Sequence, residues 1–197
     1  MRKLKVAVIV GSNRRESINR NLAEALVRLA GARIDAHFIR IDDLPIYSAD
    51  LETERPANVQ RFTKEVAETD AVLVVMPEHN RSLPAVLKNA IDWGSKPAAD
   101  NVWKGKVTAI TGTSPGAIGT AVGQQHLRQI LGVLGAMVVG GEAYISFKPD
   151  LIDEGGEITN ETTRAFLHQY VDTFLSMAMK LTAPNVTDEE NQAKRAA

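Results

Sequence analysis

Nine consecutive residues, Gly11-Ser12-Asn13-Arg14-Arg15-Glu16-Ser17-Ile18-Asn19, concentrate hydrogen-bond donors at one point of the chain. They follow the unbroken apolar run Val6 to Val10 and precede Leu22, Leu26 and Leu29, which recur at helical spacing before Gly31. The segment therefore joins a buried strand to a helix N-terminus, where free backbone N–H groups and the helix dipole favour an anion. Ser12, Ser17 and Asn19 add neutral donors, and an arginine such as Arg14 adds a charge-assisted bond to phosphate. Gly11 is the only glycine in the segment, so G-x-G-x-x-G is absent, and no Gly-Lys-Ser/Thr follows. Many donors around one glycine suit a terminal monophosphate, which presents more oxygens than a bridging pyrophosphate. The same residues also suit a plain N-cap, with Ser17 or Asn19 covering orphan N–H groups.

Two further segments carry polar groups in unusual arrangements. Pro77-Glu78-His79-Asn80-Arg81-Ser82-Leu83-Pro84 is bracketed by prolines that fix φ at both ends. A rigid turn of this kind can hydrogen-bond the edge of a flat heterocycle, or simply be a rigid turn with His79 on the surface. Thr111 to Gly119 is rich in glycine and hydroxyls, which permit close backbone approach and bonds to carbonyl or nitrogen edges. It also fits an ordinary strand-to-helix loop.

The elements that position these segments follow from hydrophobic period. Strands are expected at Val6–Val10, Ile34–Ile41, Ala71–Met76, Val107–Ile110 and Ala136–Val139. Helices are expected after Asn19, through about Ala67, after Pro84, up to about Leu134, and over Phe166, Tyr170, Val171, Phe174, Leu175 and Met179. Alternating strands and helices imply an α/β fold, a doubly wound five-stranded parallel sheet with helices on both faces, and five strands suggest the flavodoxin-like order 2-1-3-4-5. Residues 1–181 are expected to form a single domain, with 182–197 a polar tail. In such sheets ligands lie outside the carboxyl ends of the strands, where the three segments fall.

Composition narrows the class. The formal net charge of −1, with basic residues spread out, gives no footprint for nucleic acid. With no cysteine there are no disulfides, thiolate metal sites or cysteine nucleophiles. His37, His79, His126 and His168 lack metal-ligand spacing with carboxylates, so no metal is expected. No apolar stretch reaches the ~20 residues of a membrane span, and Gly11–Glu16 interrupts the apolar start before a signal peptide could form. A cytoplasmic protein is the expectation. Ser12 and Ser114 lack a G-x-S-x-G elbow, against hydrolase chemistry. Trp93 and Trp103 read as core, while Glu142 and Tyr144 fit either an interface or plain surface.

The pattern G-S-x-R-x-x-S-x-N, then P-E-x-N-x-S-x-P and L-K-N-A-I-D-W, resembles the NADPH-dependent FMN reductase family, with the nearest likeness to bacterial chromate/quinone reductases and azoreductases. The likeness runs from about Val6 to Val139, including Asp43 to Tyr47 and His126 to Gln129. It implies non-covalent FMN, NADPH or NADH as donor, and a homodimer or homotetramer. Carried over by position, Gly11, Ser12, Arg14, Ser17 and Asn19 would hold the phosphate. Pro77, Glu78, His79 and Asn80 would border the ring and ribityl chain, and Thr113, Ser114 and Gly116 would close the third side. Relatives commonly have Tyr where this chain has His79. The imidazole offers less area and can carry charge, so it is expected to modulate redox poise or acceptor preference rather than abolish binding.

The expected activity is ping-pong reduction of small-molecule acceptors: quinones, azo compounds, chromate-like oxyanions or free flavin. No catalytic side chain is required, because the cofactor carries the chemistry. Arg15 and Arg81 are cationic candidates for steering the donor's phosphate, or else solvated charges. The alternative is a flavodoxin-type FMN electron carrier that acts only with protein redox partners.

Overall fold

The computed structural model describes residues 2–182, so the expectation for the polar tail lies, beyond Thr182, outside the described residues. Six strands and five α-helices follow in the order β1 (Leu4–Val10), α1 (Ile18–Ala30), β2 (Ile34–Phe38), α2 (Ala57–Ala67), β3 (Ala71–Val75), α3 (Ala85–Gly94), β4 (Val107–Ser114), α4 (Ala121–Val133), β5 (Met137–Val138), β6 (Ala143–Ser146) and α5 (Glu161–Thr182). The sheet order is β2-β1-β3-β4-β5, with β6 also on β4, and every pairing is parallel.

Central β3 is buried along its whole length, as a strand covered on both faces must be. Alternate residues therefore serve two cores. Val6, Val8, Leu73 and Val75 pack with Leu22 and Leu26 of α1 and Leu167 and Phe174 of α5. Ala7, Ile9, Val72 and Val74 pack with Phe62 of α2, Leu87 and Ile91 of α3, and Leu127 and Leu131 of α4. Leu22 and Leu127 are fully buried, and each stabilises the fold by roughly 1.5–3 kcal/mol. Trp93 and Trp103 lie in the second core, with indole N–H groups donating to Pro45 O and Ile91 O.

Three expectations about elements need correction. The fourth strand does not stop at Ile110; it runs to Ser114, because β6 pairs with Thr111–Ser114 and continues the sheet beyond β5. Thr111, Gly112, Thr113 and Ser114 are thus strand residues, and only the segment beginning at Pro115 is loop. The fifth strand is also in two pieces, Met137–Val138 and Ala143–Ser146, separated by Gly140-Gly141 with Gly141 at φ 81°. Phe166 is exposed, so the apolar face of α5 begins at Leu167.

Candidate cofactor site

The ends of β1, β3 and β4 bring the three polar segments together at one edge of the sheet, and the packing there leaves no room for side chains. A Cβ on Gly11 would stand 2.9 Å from Met76 Cβ, while the Gly11 N–H donates to Val75 O at 2.8 Å. A Cβ on Gly112 would stand 1.8 Å from Met76 O. Glycine at these positions lets the first segment and β4 close on the backbone leaving β3.

In the first segment Ser17 is the N-cap of α1, and its Oγ accepts from Arg20 N at 3.3 Å. Ser12 Oγ accepts from Arg14 N at 3.3 Å, which starts the turn. The first turn of α1 holds no acidic residue, and the N–H groups of Ile18 and Asn19 have no intrahelical acceptor. Arg14 and Arg15 are exposed beside it. The amide of Asn19 is committed elsewhere: Nδ2 donates to Thr113 O and Oδ1 accepts from Thr113 N–H, each at 2.9 Å. Asn19 is buried, and its main-chain N–H, without an intrahelical acceptor, is the one donor it has left. The N-cap and the anion-binding arrangement thus coexist, since Ser17 caps one donor and leaves others open.

The second segment is a two-residue hairpin. His79 and Ser82 exchange both backbone bonds, at 3.0 and 2.9 Å, across Asn80 and Arg81. These two residues have φ of 50° and 63°, as a type I′ turn requires. His79 is exposed beside the turn, Asn80 and Arg81 are exposed at its tip, and Pro77 is half-buried at its base. Glu78 is turned inward, its side chain only 7% exposed. Its Oε2 accepts from Gly123 N in the first turn of α4 at 2.9 Å, and its Oε1 accepts from Arg81 Nη1 at 3.0 Å. Ser82 Oγ and His126 Nδ1 are 2.9 Å apart, a second tie to α4. The hairpin is thereby anchored to a helix rather than held by its prolines alone.

On the third side, Ser114 Oγ donates to Gly119 O, and Ser146 Oγ donates to Ala117 O at 2.9 Å. Gly116 is exposed at the turn, while Thr113 is fully buried and its Oγ1 finds no partner. Sequence reasoning missed the role of Asn89 in L-K-N-A-I-D-W. Its Oδ1 accepts from Tyr47 N at 2.8 Å and its Nδ2 donates to Pro45 O at 2.9 Å, fastening the segment after β2 to α3. The signal was an asparagine inside an otherwise good helix-forming run, a position that costs helix propensity. Gln125 Nε2 donates to both Glu142 and Tyr144 Oη, so those two residues belong to a surface network between α4 and β6. Among the described residues no cluster of His, Asp or Glu is arranged to hold a metal ion. No described helix is long and apolar enough to cross a membrane.

Comparison with known proteins gives a consistent set of likenesses. The family model for NADPH-dependent FMN reductase matches residues 4–150. A 2-hydroxy-1,4-benzoquinone reductase of Burkholderia sp is 45% identical over 172 residues, 87% of this chain and 94% of the relative. A quinone reductase of Escherichia coli is 40% identical over 162 residues, 81% of each chain. Among solved structures, the flavoenzyme NAD(P)H:(acceptor) oxidoreductase FerB of Paracoccus denitrificans superposes with TM-score 0.87 at 42% identity, covering 90% of this chain and 98% of that one. A flavodoxin of Pseudomonas aeruginosa, at 21% identity and TM-score 0.55, shares the fold alone.

Proposed function

The chain belongs to the NADPH-dependent FMN reductase family, and from that premise we propose that it is an FMN-dependent NAD(P)H:quinone oxidoreductase. The observation that carries the reading is the donor set at the α1 N-terminus. Open N–H groups, Ser12 Oγ and exposed arginines stand there with no carboxylate in the first helical turn. That set fits a dianionic phosphomonoester.

Ser12, Arg14, Ser17 and the main-chain N–H of Asn19 would hold the phosphate, while Gly11, whose N–H is taken by Val75 O, gives the loop its close approach to β3. Pro77, Glu78, His79 and Asn80 would border the ring, with Ser114 and Gly116 on the remaining side; Thr113, fully buried with its N–H and C=O on the Asn19 amide, supports that wall from behind rather than facing a ligand as the sequence pattern suggested. Bound FMN supplies the redox chemistry, two-electron transfer from NAD(P)H to an acceptor. The protein's part is orientation and access. The hairpin offers backbone groups to a ring edge, and the prolines and Glu78 hold those groups in place before a ligand arrives. Such preorganisation reduces the ordering cost of binding. His79, exposed beside the turn, would tune potential or acceptor preference; identical flavin potential and acceptor profile in His79→Tyr would exclude that role.

The electron-carrier alternative is not favoured, because relatives above 40% identity are reductases and the flavodoxin likeness is confined to the fold. Chromate, azo compounds and free flavin remain proposed acceptors beside quinones, as does a cytoplasmic location. Self-association as a dimer or tetramer is supported by the outward stripe Val122, His126, Gln129 and Val133 on α4. Steady-state assays with 1,4-benzoquinone test the activity directly. Parallel double-reciprocal lines are expected; no NAD(P)H-dependent quinone reduction by the FMN-loaded protein would overturn the reading.

A further inference from the structure

Reducing a quinone to its hydroquinone takes two electrons and two protons. A nicotinamide donor delivers both electrons with one hydrogen. The balance NAD(P)H + quinone + H⁺ → NAD(P)⁺ + hydroquinone therefore leaves one O–H bond whose proton has to be supplied separately. The chain has no cysteine to supply it, and the Glu78 carboxylate is committed to Gly123 N and Arg81. Imidazole is the side chain suited to giving and regaining a proton near neutral pH.

Two imidazoles and a hydroxyl share one face of the hairpin. His79 and Ser82 exchange both backbone bonds and form an antiparallel bridge, so they stand directly opposite each other with their side chains on the same side. His126 Nδ1 is 2.9 Å from Ser82 Oγ. That distance is fixed by neighbouring contacts. Gly123, one turn earlier in α4, donates its N–H to Glu78 Oε2 at 2.9 Å, and a Cβ on Gly123 would stand 2.9 Å from Ser82 O. The helix is thus pressed onto the hairpin where Ser82 and His126 meet. Ser82 is half-buried there, His126 is exposed, and neither contributes to either core.

Resting on the quinone reductase reading above, we propose that Ser82 is the proton donor to the acceptor and that His126 is the positioning residue behind it. As the acceptor is reduced, its carbonyl oxygen takes the Ser82 hydroxyl proton: that O–H bond forms as the Ser82 O–H bond breaks. Ser82 Oγ takes the proton on His126 Nδ1 in the same step, so no alkoxide is left. Both electrons come from the nicotinamide donor, and neither residue changes oxidation state. His126, left as neutral imidazole, returns to imidazolium by exchange with water. A wet interface on the outward stripe of α4 supplies such a water as bulk solvent does.

Two measurements on the full chain test this. In the flavin-free protein, nitrogen-15 NMR of the imidazoles compares wild type with Ser82→Ala. The His126 Nδ1 resonance is expected to move when its partner is lost, and an unmoved resonance overturns the pair. The reduced, FMN-loaded protein is then mixed in stopped flow with 1,4-benzoquinone or with hexacyanoferrate(III), which takes electrons singly and binds no proton. His126→Gln keeps a hydrogen-bonding side chain beside Ser82 but cannot hold the extra proton. The ratio of quinone rate to hexacyanoferrate rate should fall about tenfold or more in both His126→Gln and Ser82→Ala. Equal losses with the two acceptors would make the pair structural and overturn the proposal, as would an unchanged ratio. A ratio that falls in His79→Phe but not in His126→Gln would put the proton on His79 and overturn it too. Wild-type protein that passes no electrons to the quinone overturns the oxidoreductase reading itself.

Discussion

Asn19 stands in for a missing strand beside Thr113. β3 pairs with β4 only as far as Thr111, and Met76 N–H makes the last bond to Thr111 O. Two residues further, the Thr113 N–H and C=O face where β3 would have continued, and the Asn19 amide satisfies both at 2.9 Å. One side chain thus fixes the start of α1 to the end of β4, two walls of the proposed cofactor site.

Asn19→Ala should therefore cost about 2–4 kcal/mol, because two buried backbone groups lose their partners. Asn19→Asp should be no better, since a carboxylate would replace the donor facing Thr113 O. Denaturant unfolding of both variants measures the loss, and a change below about 1 kcal/mol would mean the bracket is dispensable.

Glu78 is expected to act on FMN affinity through the hairpin. Removing its carboxylate in Glu78→Ala frees Gly123 N and Arg81 and should raise the Kd for FMN about tenfold. Glu78→Gln keeps an acceptor for Gly123 N and should stay within about threefold of wild type. Equal losses in the two variants would assign the effect to charge rather than to anchoring.

Two glycines should respond in opposite directions to alanine. Gly112→Ala puts a methyl 1.8 Å from Met76 O, and a destabilisation above about 3 kcal/mol or insoluble protein is expected. Gly132 lies inside α4 with nothing within 4 Å of its would-be Cβ. Gly132→Ala should stabilise by about 0.5–1 kcal/mol, read from the shift in unfolding midpoint.

Tyr170 predicts an alkaline limit to stability. Burial pushes its phenol up to about 12, and the hydroxyl donates to Ile110 O at 2.7 Å while accepting from Ile110 N at 3.0 Å. The folded value lies above the ordinary 10.0, so stability from this group is intact below pH 10. It falls as pH rises toward 12, because the unfolded chain gives up the proton first. The loss should approach about 2–3 kcal/mol at the upper end. Tyr170→Phe, although less stable throughout, should lack this slope between pH 10 and 12 in unfolding experiments.

Most of the scaffold is legible in the chain itself. Val6–Val10 and Ala71–Met76 are apolar runs bounded by turn residues, and Leu22, Leu26 and Pro84 mark helices without ambiguity. The end of β4 is not legible, since Thr111–Ser114 has loop composition and is drawn into the sheet only by β6. The break at Gly140-Gly141 hides β6 in turn, leaving two and four residues where a single strand has a clear period. At the candidate site, residue types and positions after strands were readable, but directions were not. Asn19 and Glu78 both carry polar groups suited to a ligand, and both spend them on backbone N–H groups that only the tertiary packing brings near. Ser17 and the arginines remain where the sequence pattern puts them, because local helix geometry decides their place.

The most direct test is an anaerobic titration of FMN-reconstituted protein with NADPH and with NADH, followed by addition of 1,4-benzoquinone. The account predicts a yellow protein bleached by about one equivalent of a nicotinamide donor, with the yellow colour returning on addition of the quinone. A colourless protein that cannot be reconstituted with FMN, or a yellow one that neither donor bleaches, would contradict it.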